Sequence, residues 1–359
     1  MKITDVYNSK AVAIVQTQAG ANVIPYLGEG LFPRKNKMGL DLKWIRTAKG
    51  LPVSLSPSAF DTVSTIRSRE GFKMDETEMA YFKESMLVKE QDRQDMMRVQ
   101  DSSDPYAQEV LSHIYDDVNT LVAGAKVVPE RMRMSLLADA NGHPSISISA
   151  NGATYAYNYD PNNDFSTNNF FNVGAVQSTN YWTDTTNSDP MKDVATAQDA
   201  IEALTGTRPS IMIISKNTMN LLKQNAKIKS AILAQNATAN ILMTDARVKA
   251  IFSEELGIAI IVYAKLYKND AGQTKKFYPD GMATLLPAGI LGRTYKGVTP
   301  EEHRASDLNV QIVDDGTAVA VNTSFDPVQT ITKASEVVLP SFENMDRTYM
   351  IKVDTNVVY

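Results

Sequence analysis

Few residues in this chain combine the type and the spacing that chemistry requires. Its three histidines are His113, His143 and His303, and the chain has no cysteine. No two histidines stand at the H-x3–5-H spacing of a metal pair, and no thiolate can complete a ligand set. His113 falls within a helical pattern, His143 in a Gly-His-Pro turn and His303 behind an acidic pair. Each therefore reads as a surface or packing residue. Asp160-Pro161-Asn162-Asn163-Asp164 has the acidic opening of a calcium loop. Such a loop needs glycine sixth and glutamate twelfth, where this chain has Phe165 and Phe171, so the stretch reads as a polar linker. The adjacent pairs Asp116-Asp117 and Glu301-Glu302 would point to different faces of a helix, so neither forms an acid/base dyad. No phosphate-binding glycine motif and no nucleophile elbow occurs, and Gly124-Ala125-Lys126 sits in mid-helix pattern. Arg67 and Arg69, two apart on a strand, share a side. They suit a salt bridge to a neighbouring acidic surface better than an anion site. No catalytic, cofactor-binding or metal-ligating residue is expected, and the chain reads as a non-enzyme.

Composition narrows the class further. The 359 residues suffice for roughly two compact domains. With 43% hydrophobic and 21% charged residues, a sizeable core can be buried. The sixteen methionines are scattered, as core filling would have them. The lack of cysteine excludes disulfides and thiol catalysis and suits a reducing cytoplasm. A formal net charge of −5 with interleaved signs lacks the basic stripe that a reader of duplex DNA needs to displace counterions. The opening Met1-Lys2-Ile3-Thr4-Asp5 has no basic stretch followed by an apolar core, and apolar runs such as Ile258 to Ala264 are too short to span a bilayer. A soluble intracellular product is expected.

The elements that would position any site are legible in part. Residues 1–37 read as an arm: Val12, Ile14, Val15, Val23 and Ile24 are apolar, but Gly20, Pro25, Gly28, Gly30 and Pro33 break any long element. Leu40, Leu42 and Trp44 then alternate with Asp41 and Lys43, and Val53 and Leu55 with serines, as half-buried strands do. Thr62 to Phe72 continues this into a long two-stranded excursion. Isolated hairpins are marginal in water, so a neighbour must supply its missing layer. Residues 76–100 are ambiguous between strand and helix. Asp104-Pro105 opens a helix with the stripe Tyr106, Val110, Ile114, Val118, Leu121 and Ala125; Pro129 is expected to kink or restart it, and Asn141-Gly142 to stop it. A hairpin follows, Ile146 and Ile148 against Tyr155, Tyr157 and Tyr159 about Asn151-Gly152. Residues 160–189 read as loop or linker. Asp189-Pro190 starts a helix with the stripe Val194, Ala197, Ile201 and Leu204, which Gly206 ends. A strand over 210–214, short helices around 217–236 and 244–256, a strand over 258–263 and a hairpin complete a compact mixed domain. Tyr349, Ile351 and Val353 form a last alternating strand.

Five stretches in this order resemble the major capsid protein E family of lambda-like tailed phages, which has the Hong Kong 97-type capsid fold. They are Ser56-Pro57 with Thr65-Ile66-Arg67-Ser68-Arg69-Glu70-Gly71-Phe72; the helix from Asp104-Pro105 through Gly142; the hairpin ending Tyr157-Asn158-Tyr159-Asp160; Trp182 to Gly206 with Pro209 to Ser215; and Lys275 to Met282 continuing to Arg293-Thr294-Tyr295. They cover most of the chain from about residue 40. The resemblance implies an α+β capsid fold with five parts. Residues 1–37 would be the N-terminal arm, 38–90 the extended loop, 91–189 the peripheral domain with its spine helix, 190–330 the axial domain and 331–359 a return to the peripheral domain. It implies a major capsid protein that self-assembles into the icosahedral head of a tailed phage around double-stranded DNA, in the virion after assembly in the host bacterial cytoplasm. The implied partners are further copies in pentamers and hexamers, a scaffolding protein, a portal protein, a decoration protein and non-specifically packaged DNA, with no membrane and no cofactor. Leu40, Leu42, Trp44, Ile66, Arg67, Arg69 and Phe72 would lie at inter-subunit contacts. The alternatives are an encapsulin-type compartment shell of the same fold and a soluble α+β hydrolase or binding protein.

Overall fold

A computed structural model of the chain describes residues 26–45, 74–88, 94, 106–150, 153–175, 180–235, 242–269, 271–304, 310–313, 316–325 and 328–359. The arm through Pro25, the loop residues 46–73, the Asp104-Pro105 helix start and the Asn151-Gly152 turn lie outside the described residues. In chain order the elements are α1 (Leu27–Leu31), β1 (Arg34–Asn36), β2 (Asp41–Ile45), β3 (Met74–Glu78), β4 (Ala80–Val88), α2 (Tyr106–Leu137), β5 (Ser145–Ala150), β6 (Ala153–Asn158), α3 (Asp164–Asn168) and β7 (Phe170–Asn172). Then come α4 (Pro190–Thr205), β8 (Ile211–Ile214), α5 (Lys216–Gln224), α6 (Ala226–Gln235), α7 (Asp245–Leu256), β9 (Ala259–Val262), β10 (Leu266–Lys268), β11 (Thr274–Lys276) and β12 (Met282–Leu286). The chain ends with β13 (Thr294–Gly297), α8 (Pro300–His303), β14 (Val310–Val313), β15 (Thr317–Phe325), β16 (Val328–Pro340) and β17 (Tyr349–Lys352).

These elements build two compact units. The first comprises Met1–Leu42, Glu76–Arg131 and Arg293–Ser341, the second Lys43–Asp75, Met132–Gly292 and Phe342–Tyr359. Arg293 to Ser341 joins the unit of β4, and the last strand joins that of β8 and β12.

The first unit is organised by β16, thirteen residues long. On one edge it takes β15 and then β13, both antiparallel; on the other it takes β4 from Thr330↔Val88 to Val338↔Ala80. β14 extends the sheet beyond β15, and β1 extends it beyond β13 in parallel. Residues 80–88, ambiguous by sequence, are thus a strand, because β16 supplies a full ladder for their backbone groups.

In the second unit the sheet order is β7-β17-β12-β8-β9. Alternate residues Met212 and Ile214, Ala283 and Leu285, and Tyr349 and Ile351 share a core cluster with Val194, Ala197 and Ile201 of α4, Met219 and Leu222 of α5, Ile228 of α6 and Phe252 of α7. The opposite parity is buried too: Ile213, Thr284 and Met350 are covered, and the Thr284 hydroxyl donates to the Leu137 carbonyl at 2.6 Å. A sheet enclosed on both faces explains why every residue of β12 is buried.

Several expected elements occur where the sequence places them. α4 is capped by Asp189, whose carboxylate accepts from the Lys192 N–H at 3.2 Å, and closes at Gly206. β5 and β6 pair in the expected register, Ile146↔Tyr157 and Ile148↔Tyr155. Two expectations are corrected. Pro129 does not restart the helix: α2 runs as one element through it to Leu137. A proline inside a helix costs about 3 kcal/mol. The turns after it are held by burial of Met132, Met134, Leu136 and Leu137. Residues 160–189 are more than a linker: they hold α3 and β7 and bury Asp160, Phe165, Asn169, Val173, Trp182 and Ser188. Gly142 sits at φ +74° with a Cβ position only 2.3 Å from the Phe170 ring, so this turn admits no side chain.

Candidate inter-subunit surface

The strand expected to meet a neighbour divides into an exposed and a covered part. Met38 and Leu40 precede or border β2 and are 89% and 50% exposed. Leu42 and Trp44, on the same parity, are buried within the chain itself. Trp44 stacks on Tyr159 with ring centroids 5.4 Å apart, and its indole N–H is buried without a hydrogen-bond partner. Alternation alone identified the apolar face but not which part of it this chain covers. Ile66, Arg67, Arg69 and Phe72 lie outside the described residues.

The titratable groups weighed in the sequence are held in structural roles. Glu301, in the first turn of α8, is 7% exposed. Its carboxylate receives the Tyr81 hydroxyl from β4 at 2.8 Å, the Ser335 hydroxyl from β16 at 2.9 Å and the Lys333 ammonium. Burial pushes its pKa up, but the hydrogen bonds from Lys333, Tyr81 and Ser335 outweigh it and hold the group at about 2. Glu302 differs: its backbone N–H donates to the Thr299 hydroxyl at 3.1 Å, capping α8. The pattern Thr299-Pro300-Glu301-Glu302 is a helix-start signal that could have located this turn in the sequence. Asp160, instead of opening a calcium loop, accepts the backbone N–H groups of Phe165 at 2.9 Å and Ser166 at 3.0 Å, with His143 Nδ1 at 3.5 Å. His303 is exposed at the end of α8. Among the described residues no group of three His, Asp or Glu side chains could hold a metal ion.

The stretch Lys275 to Met282 forms a tight corner in the second unit. Tyr278 is buried with its hydroxyl 2.8 Å from that of Thr284. Asp280 pairs with Lys276 and accepts from Asn217 Nδ2 at 2.6 Å. Burial raises its pKa, and bonds from Lys276, Ser215 and Asn217 bring it below the usual carboxylate range. Gly281 has φ +80°, and a Cβ there would lie 2.7 Å from the Asn356 carbonyl oxygen. No helix among the described residues is long and apolar enough to cross a membrane.

Set beside known proteins, residues 11–311 match the sequence model of the family described as phage major capsid protein E. None of the curated proteins matches. A phage-related protein from Bordetella bronchiseptica RB50 has a similar structure at 17% identity, over 94% of this chain and 96% of that one, with a TM-score of 0.54. A protein assigned as a prophage capsid protein from E. coli CFT073 is similar at 16% identity, over 79% of this chain and 80% of that one, with a TM-score of 0.50. These are likenesses of fold, the α+β Hong Kong 97-like capsid type.

Proposed function

The chain belongs to the phage major capsid protein E family, and on that premise we propose how its two units share the work of a shell. As a major capsid protein it self-assembles into the icosahedral head of a tailed bacteriophage, enclosing the double-stranded DNA genome. The first unit takes the peripheral role, with α2 as far as Arg131 as its spine helix, and the second the axial role at the centres of pentamers and hexamers. Residues 38–90 act as the extended loop and residues 1–37 as the arm. The C-terminal residues 331–359 serve both units, passing from the first to the second after Ser341.

The family match carries this reading. The exposure of Met38 and Leu40 supports a subunit contact at the base of the loop, with Leu42 and Trp44 bracing the strand from within the chain. Burying such surface contributes about 25 cal/mol per Å². Ile66, Arg67, Arg69 and Phe72 complete that contact. Scaffolding, portal and decoration proteins are the further partners, with DNA held non-specifically inside an acidic shell and no membrane involved. Assembly takes place in the host bacterial cytoplasm. The role requires no bond-making chemistry, and the Glu301 and Asp160 carboxylates are engaged in structural hydrogen bonds. An encapsulin-type shell is disfavoured by the family match, and particle content separates the two, DNA in one and an enzyme cargo in the other.

Electron microscopy of the chain expressed with a scaffolding protein tests the proposal. Closed shells are expected; a 39.5 kDa monomer persisting at high concentration beside the scaffold would overturn it. Deleting residues 48–72 should abolish shells and leave a folded, soluble monomer, whereas wild-type-like particles would refute the role of the loop.

A further inference from the structure

We propose that Asp193 and Trp182 form a proton-operated latch in the second unit, which binds the segment 180–189 to α4 more firmly when the carboxyl is neutral. Asp193 stands in the first turn of α4 and is 2% exposed. Its Oδ2 accepts from the Trp182 indole N–H at 3.0 Å, the only hydrogen bond its carboxyl makes among the described residues. Trp182 is itself fully buried, and its backbone N–H donates to the Val353 carbonyl at 2.9 Å, next to β17. The segment is tied elsewhere at the α5–α6 corner. Asn225 Nδ2 donates to the Ser188 carbonyl and hydroxyl at 3.2 and 3.0 Å, and the Ala226 N–H donates to the Thr185 carbonyl at 2.8 Å.

What sets Asp193 apart is how little compensates its charge. Asp160 has two backbone donors and a histidine, and Glu301 has an ammonium and two hydroxyls. The charged groups around Asp193 are Asp189 and Lys192 on its own helix and Lys227 on α6. Lys227 already pairs with Asp189 at 2.9 Å, so that pair leaves the buried anion largely alone. The helix N-terminus favours an anion there, but only weakly. Burial wins: it pushes the Asp193 pKa up to about 6, against the Trp182 hydrogen bond, with Asp189 adding to the rise and Lys192 and Lys227 opposing it. A protonated carboxyl still offers its carbonyl oxygen to the Trp182 N–H, so the contact survives while the cost of burying charge disappears.

The sign follows from linkage. The folded state holds this proton about a hundredfold more tightly than an ordinary carboxylate does, so stability rises as pH falls from above 6 towards 3.8. The Glu301 clamp of the first unit responds in the opposite sense and only below about pH 4.5. Between pH 7 and 5 the Asp193 latch firms while the Glu301 clamp stays as it is.

The chain contains two tryptophans, so Trp44→Phe leaves Trp182 as sole reporter. In the full-length W44F protein, Trp182 emission should titrate with a midpoint near pH 6. Wild-type amide exchange over 180–189, corrected for intrinsic rate, should slow about tenfold from pH 7.5 to 5. Asp193→Asn, a neutral isostere, should be as protected at pH 7.5 as the wild type at pH 5 and should not titrate. Flat emission between pH 5 and 8, pH-independent wild-type exchange, or an Asn variant less protected than wild type would each overturn the latch. The exchange measurement on the wild type needs no substitution to fold.

Discussion

Replacing Glu301 with glutamine should loosen β4 from β16 at neutral pH and have almost no effect in strong acid. Glu301 is the single acceptor on which Tyr81, Lys333 and Ser335 converge, joining α8 to the two longest-paired strands of the first unit. Its pKa lies at about 2 against an ordinary 4.5, a difference that converts to about 3 kcal/mol at most. Solvent screening at the partly exposed Lys333 reduces this to about 1–2 kcal/mol. The group is depressed, so its stabilisation is complete above pH 4.5 and is lost as pH falls towards 2. A chain with two units need not unfold in one step, so a global melting curve is the wrong instrument. Hydrogen exchange reads the strands themselves: at pH 7 the amides of Ala80–Val88 and Val328–Pro340 should open about 5–30-fold more often in E301Q. Comparing variant and wild type at the same pH cancels intrinsic exchange. Equal protection at pH 7, or a gap that widens on acidification, would refute this account of the clamp.

The remaining expectations concern assembly and packing. Replacing both Met38 and Leu40 with lysine should stop shell formation in sedimentation assays while leaving the circular dichroism and melting of the unassembled chain unchanged, since both side chains are already exposed. Gly281→Ala should destabilise the second unit by about 2–4 kcal/mol, combining left-handed backbone strain with the 2.7 Å approach to the Asn356 carbonyl. Urea unfolding followed by Trp182 emission would measure it, and an unchanged midpoint would show that the C-terminal tail can move aside.

The difference between what was legible and what was not follows the range of the interactions concerned. α4 was readable because its cap, its stripe and its stop all lie within the one local stretch Asp189 to Gly206. The hairpin of β5 and β6 was readable because cross-strand partners such as Ile148 and Tyr155 are close in sequence. By contrast, Phe165, Asn169, Val173 and Trp182 are buried at steps of four, four and nine across a change from helix to strand to turn, held partly by Asn169 donating to the carbonyls of Asp346 and Thr348 far along the chain. No period marks such a segment, so it resembled a linker. The candidate contact strand shows the same limit: the alternation of Leu40, Leu42 and Trp44 was visible, but only the stacked ring of Tyr159 reveals that Trp44 already has a cover.

By itself, the order of residues determined α2, α4 and the helices between 216 and 256, the short hairpin, the α+β class and, through five colinear stretches, the resemblance to a capsid family. Each of these rests on neighbours a few positions apart, where capping, turn chemistry and periodicity act. Only the tertiary structure decided that β16 would take β4 on one edge and β15 and β13 on the other, that the chain would change units after Ser341, and that Glu301 and Asp193 would become buried charges with opposite responses to acid. A strand offers the same backbone donors and acceptors to any partner, and a carboxylate's proton affinity depends on what surrounds it. Both are therefore set by residues that only folding brings together.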